Sequence, residues 1–303
     1  MKAFSYLKKE NELAIGVDTG IDRLDLTMAF NIYQNAKRVP HPVTFSFIQV
    51  MVEMGYFSKD AIDSILSDPW VRSKVDRLRI QGDVTMDVPV ARPSKIVCVG
   101  RNYAAHVKEL NHEMPEGPVF FAKAPSTLCS PGDPIVIPAW FEGRVDHEAE
   151  LGVVIGKLGK DIPESEAMEY IAGYTIINDV TARSMQKTDI EKGNPWFRSK
   201  SFDTFCPMGP YLVPRDAVDD PHNLDIRLTV NGETRQESNT SLMMFKLPTL
   251  IHLLSKYMTL QPGDVIATGT PEGVSEIKHG DVVEITVTGL GTLTNPVQKE
   301  SLS

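Results

Sequence analysis

Hydrophobic and polar positions divide the chain into two parts of different character. The first part opens with short apolar runs that predict two strands, at Phe4–Leu7 and Leu13–Val17, joined by the polar turn Lys8–Glu12. It closes at the segment Asp87–Pro93, where proline interrupts both helical and strand patterns. We therefore predict a small α/β domain over residues 1–90 and a larger second domain over residues 91–303.

Helical spacing of apolar residues accounts for most of the first part. It recurs in three segments, at Leu26–Lys37, Val43–Met54 and Ser58–Leu66. Pro42 and Ser58 occupy positions that suit the start of a helix, and Gly55 suits a helix end. The segment Val71–Leu78 predicts one more helical turn.

From Lys95 onward the pattern changes to short β-type runs separated by proline and glycine. Asn231-Gly232 is a strong signal for a two-residue β-hairpin, and Pro248–Tyr257 has the spacing of an amphipathic helix. Regular alternation of strands and helices is absent, which favours a mixed, predominantly β, α+β architecture over a doubly wound sheet. The predicted strands are Ile96–Val99, Val119–Phe121, Ile135–Ile137, Glu148–Ile155, Tyr174–Asn178, Tyr211–Val213, Ile226–Val230, Val265–Ala267 and Val282–Val287.

Composition narrows the class of protein further. The chain has 303 residues, of which 42% are hydrophobic and 23% charged, as is typical of a globular protein with a sizeable core. A net charge of −9 without a basic stripe argues against a nucleic-acid partner. Neither a signal peptide nor a bilayer-spanning apolar stretch is visible, so we expect a cytoplasmic protein without a membrane partner. Cys98, Cys129 and Cys206 are widely spaced, which predicts reduced thiols.

The most informative polar feature is a pair of glutamates separated by one residue. Glu148 and Glu150 open an apolar strand, and Asp179 follows the next apolar run. Side chains alternate along a strand, so both glutamates face the same way and repel each other unless a cation or a shared proton compensates. Three carboxylates without thiolates or a histidine cluster suit a hard divalent ion such as Mg²⁺ or Mn²⁺. The alternative is a solvated edge strand in which Arg144 pairs with one charge.

Two other segments contain residues that are typical of catalytic sites. His106 and Glu109 are three residues apart, which places them on one face of a helix, as in a general base or in a surface ion pair. Lys200 lies among aromatic residues in Trp196–Asp203. There a desolvated ammonium could hold a substrate carboxylate or stabilise an enolate, or could simply cover apolar surface.

Two loops complete the set of candidate segments. Ala267–Val274 is a tight Gly/Pro turn after a strand, where hydroxyl and backbone N–H groups could cradle a carboxylate. Asp179–Gln186 leads from the third carboxylate into a helix, with Arg183 and Gln186 on one side.

The order and spacing of these segments resemble the fumarylacetoacetate hydrolase superfamily. The resemblance runs from about Lys95 to about Gln298, and Asn231–Gln236 also matches. It implies a catalytic domain with a mixed β-roll core, a homodimer and a bound Mg²⁺ or Mn²⁺, and it matches residues 1–90 to a variable added domain of longer bacterial members. The five segments that carry it are Val99–Tyr103, His147–Gly152, Asn178–Arg183, Lys200–Asp203 and Thr268–Pro271.

The resemblance also implies roles for individual residues. The metal ligands correspond to Glu148, Glu150 and Asp179. The segment Arg101–Glu109 corresponds to a mobile lid that carries a catalytic dyad of His106 and Glu109, and Lys200 corresponds to the family's catalytic lysine. One departure is Ser275, where many relatives continue Gly-Val-Gly, and we expect this change to affect the mouth of the site. Substrate contacts correspond to Arg101, Tyr103, Gln186 and Thr270.

These implied roles suit chemistry on small 2-oxo acids. The cation would chelate the carboxylate and 2-oxo oxygens of the substrate and stabilise the enolate that develops. Three outcomes use this electron sink: C–C hydrolysis of acylpyruvates, decarboxylation of oxaloacetate, and tautomerisation or double-bond isomerisation, as of oxaloacetate or 2-hydroxyhepta-2,4-diene-1,7-dioate. We expect hydrolysis first and decarboxylation second, because the complete His106 and Glu109 pair can activate a water molecule.

Two functions of other classes use similar carboxylates. A glycosidase needs its two carboxylates on either side of the scissile bond, whereas Glu148 and Glu150 share one face of one strand. A non-catalytic binding module could hold Ca²⁺ with the same oxygens. Such a module would not require Lys200 or the pair of His106 and Glu109.

Overall fold

The computed structural model describes residues 1–8, 12–109 and 113–301, and these contain eighteen strands and nine α-helices. The strands are β1 (Lys2–Leu7), β2 (Leu13–Asp18), β3 (Arg23–Asp25), β4 (Met86–Asp87), β5 (Ile96–Gly100), β6 (Val119–Lys123), β7 (Leu128–Cys129), β8 (Ile135–Ile137), β9 (Val145–Asp146), β10 (Ala149–Ile155), β11 (Ile171–Asn178), β12 (Thr181–Ala182), β13 (Cys206–Pro214), β14 (Asp225–Val230), β15 (Glu233–Asn239), β16 (Val265–Ala267), β17 (Val282–Val287) and β18 (Gly291–Lys299). The helices are α1 (Leu26–Ala36), α2 (Ile48–Glu53), α3 (Lys59–Ser67), α4 (Pro69–Arg72), α5 (Val75–Leu78), α6 (Ala104–Glu109), α7 (Arg183–Glu191), α8 (Phe197–Lys200) and α9 (Leu247–Tyr257).

One large mixed sheet organises the molecule. Its strands follow the order β3-β2-β1-β13-β11-β10-β16-β5-β6, with β4 beside β1 and β7 beside β13. A second sheet has the order β15-β14-β17-β18-β8, and β9 pairs with β12. Strand β1 from the first part of the chain pairs with β13 from the second part, through Ala3 and Leu212. The mixed α+β architecture predicted from the sequence is confirmed, and the division at residue 90 stays a prediction.

Strands β10 and β11 form the buried centre of the large sheet, and every residue of both is buried. Their side chains alternate between two hydrophobic clusters, as the sequence pattern predicts. Leu151 and Val153 belong to the cluster shared with the second sheet, whereas Val154 and Ile177 belong to the cluster beneath the first part of the chain. Continuous apolar runs are typical of strands that are covered on both faces.

Most local predictions are confirmed, including helices α1, α3 and α9. Ser58 caps α3 by accepting a hydrogen bond from the Ala61 amide. Asn231 and Gly232 both have positive φ, at 53° and 80°, and they join β14 to β15 in the predicted hairpin. The turn predicted at Lys8–Glu12 includes residues 9–11, which lie outside the described residues.

The helix predicted from Val43 is wrong in its first turn, because α2 begins at Ile48. Side chains of α1 take up the backbone groups of the preceding segment. The Gln34 amide exchanges two hydrogen bonds with the backbone of Val43, and the Thr27 hydroxyl donates to the Phe45 carbonyl. These contacts hold the segment out of helical conformation, so Pro42 does not start a helix.

Strand β13 is longer than predicted, since it extends back from Tyr211 to Cys206. Pro207, Gly209 and Pro210 in this segment are signals against a strand. A register shift between β11 and β13 accommodates them, and Gly209 has a φ of 132°.

Among the described residues, no helix combines the length and the apolar character that crossing a membrane requires.

The three cysteines are buried and free, as the sequence predicts. Burial raises the pKa of Cys129 and of Cys206 to about 12. Burial also raises the pKa of Cys98 well above its usual value. All three side chains therefore behave as small apolar groups.

Candidate functional site

Three carboxylates meet where β10 begins and β11 ends. Glu148 directly precedes β10, Glu150 lies within it, and Asp179 directly follows β11. One oxygen from each of the three side chains lies within 4.8 Å of the others, and all three residues are buried. The backbone amide of Glu148 donates to the Asn178 side chain, and its carbonyl accepts from the Asp179 amide. Antiparallel pairing of the two strands thus brings together residues that are about thirty positions apart in sequence.

Three cations of the chain contact these carboxylates. The Lys200 Nζ atom lies 2.8 Å from Glu148 Oε2 and 2.5 Å from Asp179 Oδ2. The Lys123 Nζ atom lies 2.7 Å from Asp179 Oδ1, and Arg183 donates to Glu148 Oε1. Both lysines are almost fully buried. The alternative readings of a solvated edge strand and of a lysine over apolar surface are therefore wrong.

Lys123 is a site residue that the sequence analysis did not identify. It ends strand β6, and besides Asp179 it donates to the Val180 carbonyl. A charged residue at the end of an apolar run is the available signal, since Asp179 occupies the same kind of position after β11. Arg144, suggested as a partner of the glutamates, pairs instead with Asp146.

The pKa values of the two glutamates are shifted in opposite directions. Burial alone would raise the pKa of Glu148, but the adjacent Lys200 and Arg183 outweigh it and hold that pKa well below its usual value. Burial, together with the charges of Asp179 and Glu148, raises the pKa of Glu150 well above its usual value. Burial alone would lower the pKa of Lys200, but the charges of Asp179 and Glu148 beside it raise that pKa above its usual value.

Glu150 is held in place by the turn that follows β16. Its Oε2 atom accepts a hydrogen bond of 2.7 Å from the Gly269 amide. Gly269 has a φ of 98°, and a β-carbon there would lie 2.7 Å from the β-carbon of Asn102. Only glycine therefore suits this turn. The oxygen donors of Glu148, Glu150 and Asp179 fit a hard divalent cation, because carboxylates without sulfur ligands favour Mg²⁺ and Mn²⁺ over softer metals.

His106 and Glu109 form a contact at the same pocket. Helix α6 brings His106 Nδ1 to 3.2 Å from Glu109 Oε2, and His106 is only 5% exposed. The other carboxylate oxygen of Glu109 accepts from the Gly273 amide at 3.0 Å. This link ties α6 to the Gly/Pro turn across the site. The surface ion pair considered from the sequence does not describe this buried histidine.

The three carboxylates and His106 line one pocket. Three of the four predicted substrate contacts line it, namely Arg101, Gln186 and Thr270, whereas Tyr103 does not. Tyr103 is fully buried, and among the described residues its hydroxyl has no hydrogen-bond partner. Burial, together with the nearby charge of Glu150, raises the pKa of this hydroxyl. The remaining lining residues are Val99, Gly100, His106, Phe121, Glu148, Glu150, Asp179, Arg183, Ile190, Trp196 and Lys200.

Arg101 and Trp196 form one wall of the pocket. Arg101 has a φ of 60°, and its guanidinium lies over the Trp196 ring, 5.7 Å from the centroid. Among the described residues Arg101 has no carboxylate partner within salt-bridge distance. Trp196 also contacts Phe121, with ring centroids 5.3 Å apart. An unpaired guanidinium at the pocket suits an anionic group of a ligand.

A buried polar network supports the site from behind and was missed by the sequence analysis. His147 Nδ1 lies 3.0 Å from Gln236 Oε1, and His147 Nε2 lies 2.8 Å from Ser275 Oγ. Burial lowers the pKa of His147 to about 4, so this histidine is neutral at pH 7. Gln236 further contacts Thr270 at the pocket lining. Ser275, the departure noted in the sequence, thus lies against His147.

Comparisons with known proteins show which sequences and folds this chain resembles. The family described as Fumarylacetoacetate (FAA) hydrolase C-terminal matches residues 95–298, the extent that the sequence motifs predict. Oxaloacetate tautomerase fahd2, mitochondrial, of Xenopus laevis is 46% identical over 224 residues, which cover 72% of this chain and 69% of that protein.

Solved structures extend the similarity to the whole fold. A fumarylacetoacetate hydrolase from psychrophilic Exiguobacterium antarcticum superposes with a TM-score of 0.81 at 35% identity, covering 99% of this chain and 100% of the other. A maleylpyruvate hydrolase from Sphingobium sp. SYK-6, in complex with manganese(II) ion and pyruvate, has a TM-score of 0.77 at 29% identity, with 99% and 100% coverage. The predicted fold class is confirmed by these matches.

Proposed function

The chain belongs to the fumarylacetoacetate hydrolase family, and from that premise we propose that it is a divalent-metal-dependent enzyme that enolises small 2-oxo acids. The observation that carries the proposal is the meeting of Glu148, Glu150 and Asp179 with His106 in one pocket. Mg²⁺ or Mn²⁺ bound by the three carboxylates would polarise the 2-oxo group of the substrate and stabilise negative charge on its oxygen. The manganese and pyruvate bound by the Sphingobium hydrolase support this choice of cation and ligand.

His106 is the proposed base. Its Nδ1 atom contacts the Glu109 carboxylate, which can only accept when ionised, so Nδ1 carries the proton. The neutral imidazole then has Nε2 as its basic nitrogen. We assign to Nε2 the removal of a proton from carbon 3 of the substrate and its return. Glu109 orients the ring and stabilises the imidazolium that forms.

The charges of the site favour a substrate with two negative charges. When all three carboxylates are ionised around a divalent cation, Lys123, Lys200 and Arg183 match their charges, and the cation leaves an excess of about two positive charges. Arg101 adds a further cation at the pocket wall. A dicarboxylic 2-oxo acid such as oxaloacetate matches this excess, with its second carboxylate at Arg101.

Keto–enol tautomerisation of oxaloacetate is therefore our first choice of reaction. The 46% identity to the oxaloacetate tautomerase of Xenopus laevis supports it. This order differs from the expectation drawn from the sequence, in which hydrolysis came first and decarboxylation second. Decarboxylation of oxaloacetate and double-bond isomerisation proceed through the same enolate and remain further proposals.

C–C hydrolysis of acylpyruvates is the second candidate function. The link of Glu109 to Gly273 supports it, because it fixes the dyad over the pocket where His106 could activate a water molecule. The hydrolase names of the Exiguobacterium and Sphingobium proteins point the same way. A non-catalytic binding module has no use for this dyad.

An ultraviolet assay tests the proposed function. Enol-to-keto conversion of oxaloacetate and consumption of acetylpyruvate would each be followed with Mg²⁺, with Mn²⁺ and with EDTA. We expect conversion of oxaloacetate above the spontaneous rate, loss of that activity in EDTA, and recovery on adding metal. Activity unaffected by EDTA would contradict metal dependence, and inactivity on every 2-oxo acid would favour a binding module.

A further inference from the structure

We propose that Gln236 is a positioning residue that fixes the Thr270 hydroxyl as a hydrogen-bond donor to a carboxylate in the pocket. The inference rests on the proposed function in one respect, the carboxylate nature of the ligand. Gln236 ends the matching segment Asn231–Gln236, but the sequence gives it no role of its own.

The orientation of the Gln236 amide is fixed at both of its ends. Its Oε1 atom accepts from the backbone amide of Ala149 at 3.0 Å, and a backbone N–H can only donate. Its Nε2 atom lies 2.8 Å from the Pro271 carbonyl, and a carbonyl can only accept. If the amide were flipped, its NH₂ group would face the Ala149 N–H and its oxygen would face the Pro271 carbonyl. The assignment of oxygen and nitrogen therefore follows from backbone groups alone.

The direction of the Thr270 hydroxyl follows from that orientation. Gln236 Nε2 donates to Thr270 Oγ1 at 2.8 Å, so this oxygen is an acceptor toward the amide. The hydroxyl proton must then point elsewhere, and among the described residues it has no acceptor. Thr270 is 4% exposed and lines the pocket. A ligand oxygen in the pocket is the partner that completes its hydrogen bonding.

His147 and Ser275 extend the same chain of donors. Gln236 Oε1 can only accept, so His147 Nδ1 carries the proton that it shares with the amide. His147 Nε2 then accepts from the Ser275 hydroxyl. The serine at this position therefore stabilises the tautomer of His147 that keeps the amide of Gln236 in place.

The place of Gln236 in the fold supports a positioning role. It is the only buried residue of strand β15, which lies at the edge of the second sheet. Its four hydrogen bonds join this edge to the start of β10, which carries Glu150, and to the turn that carries Thr270. The hairpin itself does not require a buried amide at this position. Burying a polar group costs free energy, so a function of the amide explains its burial.

Binding of oxalate, a planar dianion that resembles the enolate of a 2-oxo acid, tests the inference by calorimetry on the Mg²⁺-loaded protein. In Gln236→Glu the ionised side chain only accepts, so Thr270 turns its proton toward it, and we expect oxalate to bind about tenfold more weakly. Thr270→Val should lose a similar factor, and Thr270→Ser should bind like the parent chain. The double variant should bind no more weakly than Thr270→Val alone, because both changes remove one hydrogen bond.

Three controls separate this role from a structural one. The affinity for Mn²⁺ alone should be unchanged in the Thr270 variants and should not fall in Gln236→Glu, whose added charge attracts the cation. Thermal unfolding identifies any variant that does not fold. If Gln236→Glu does not fold, the comparison of Thr270→Val with Thr270→Ser still decides, since equal oxalate affinities would overturn the inference. Losses that multiply to about a hundredfold in the double variant would also overturn it. A parent chain that binds Mg²⁺ but no oxalate would overturn the proposed function as well.

Discussion

The ammonium group of Lys200 lies between Glu148 and Asp179, 2.8 Å from the first carboxylate and 2.5 Å from the second. A fixed cation thus bridges two of the three carboxylates that are expected to bind a divalent ion. Together with Lys123 and Arg183 it brings three positive charges to the three carboxylates before any ion binds. The repulsion inferred from the sequence is therefore met by the chain itself, and a bound ion adds net positive charge that an anionic substrate can use.

Replacing Lys123 should disturb this charge balance and lower the unfolding free energy of the metal-free protein. Lys123→Met leaves Asp179 without one of its two lysine partners in a buried site, and we expect the metal-free protein to lose about 3–5 kcal/mol of unfolding free energy. Mg²⁺ should stabilise this variant more than the parent chain, because the site then carries excess negative charge. Denaturant unfolding with and without Mg²⁺ measures both effects. Lys157→Met, which changes an exposed lysine, is the control, and equal behaviour of the two variants would contradict the assignment.

Removing a carboxylate should abolish metal binding and turnover together. Glu148→Ala deletes one of three oxygen ligands, and we expect Mn²⁺ affinity to fall by about 100-fold or more, with activity falling in parallel. Titration with Mn²⁺ followed by electron paramagnetic resonance gives the affinity. Glu276→Ala, at an exposed carboxylate paired with Lys278, should bind Mn²⁺ normally. Retention of both properties in Glu148→Ala would remove Glu148 from the ligand set.

Replacing the proposed base should separate chemistry from metal binding. His106→Ala should lower kcat by about 10²–10⁴-fold, because proton transfer loses its positioned base. Its Mn²⁺ affinity should stay close to that of the parent chain, since His106 contacts Glu109 and none of the three carboxylates by hydrogen bond. Glu109→Gln should show a smaller loss of kcat. A His106→Ala protein that no longer binds Mn²⁺ would mean that the role of His106 is wrongly assigned.

The pH dependence of stability should contain a contribution from His222. Burial and the nearby Lys246 lower the pKa of His222 in the folded chain, against the opposing effect of Asp220. Its Nε2 atom accepts from the Leu247 amide at the start of α9, which requires the neutral ring. The folded pKa lies below the unfolded value of about 6.5, so this stabilisation is present above that pH and is lost as the pH falls through the folded pKa.

His222→Gln provides the matched variant for this prediction. Glutamine keeps an acceptor for the Leu247 amide but does not titrate. The unfolding free energy of the variant should therefore decline less steeply below about pH 6.5, the usual pKa of histidine. His41→Gln, at an exposed histidine, should follow the parent chain. Identical pH profiles for His222→Gln and the parent would show that His222 does not contribute.

Much of the fold could be predicted because the relevant signals are local. The apolar run of β10, the Asn231-Gly232 turn and the Ser58 cap each depend on neighbouring residues alone. The start of α2 could not be predicted, because it depends on hydrogen bonds from Gln34 to Val43, on a different element. Tertiary contacts of this kind override local helical spacing.

The site shows the same division between local and distant information. Glu148, Glu150 and Asp179 could be identified from spacing within two strands. Lys123 and Gln236 could not, because their contacts depend on which strands become neighbours in the folded chain. Among the expectations drawn from the sequence that stay predictions are the domain division at residue 90, the homodimer and the cytoplasmic location. Light scattering of the purified protein would test the second.

Anomalous diffraction from crystals grown with Mn²⁺ is the most direct test of the central claim, that one divalent cation is held by three carboxylates. We predict a single strong peak with one oxygen each from Glu148, Glu150 and Asp179 at about 2.1 Å. A pocket without a peak at saturating Mn²⁺, with Lys200 still bridging Glu148 and Asp179, would contradict it.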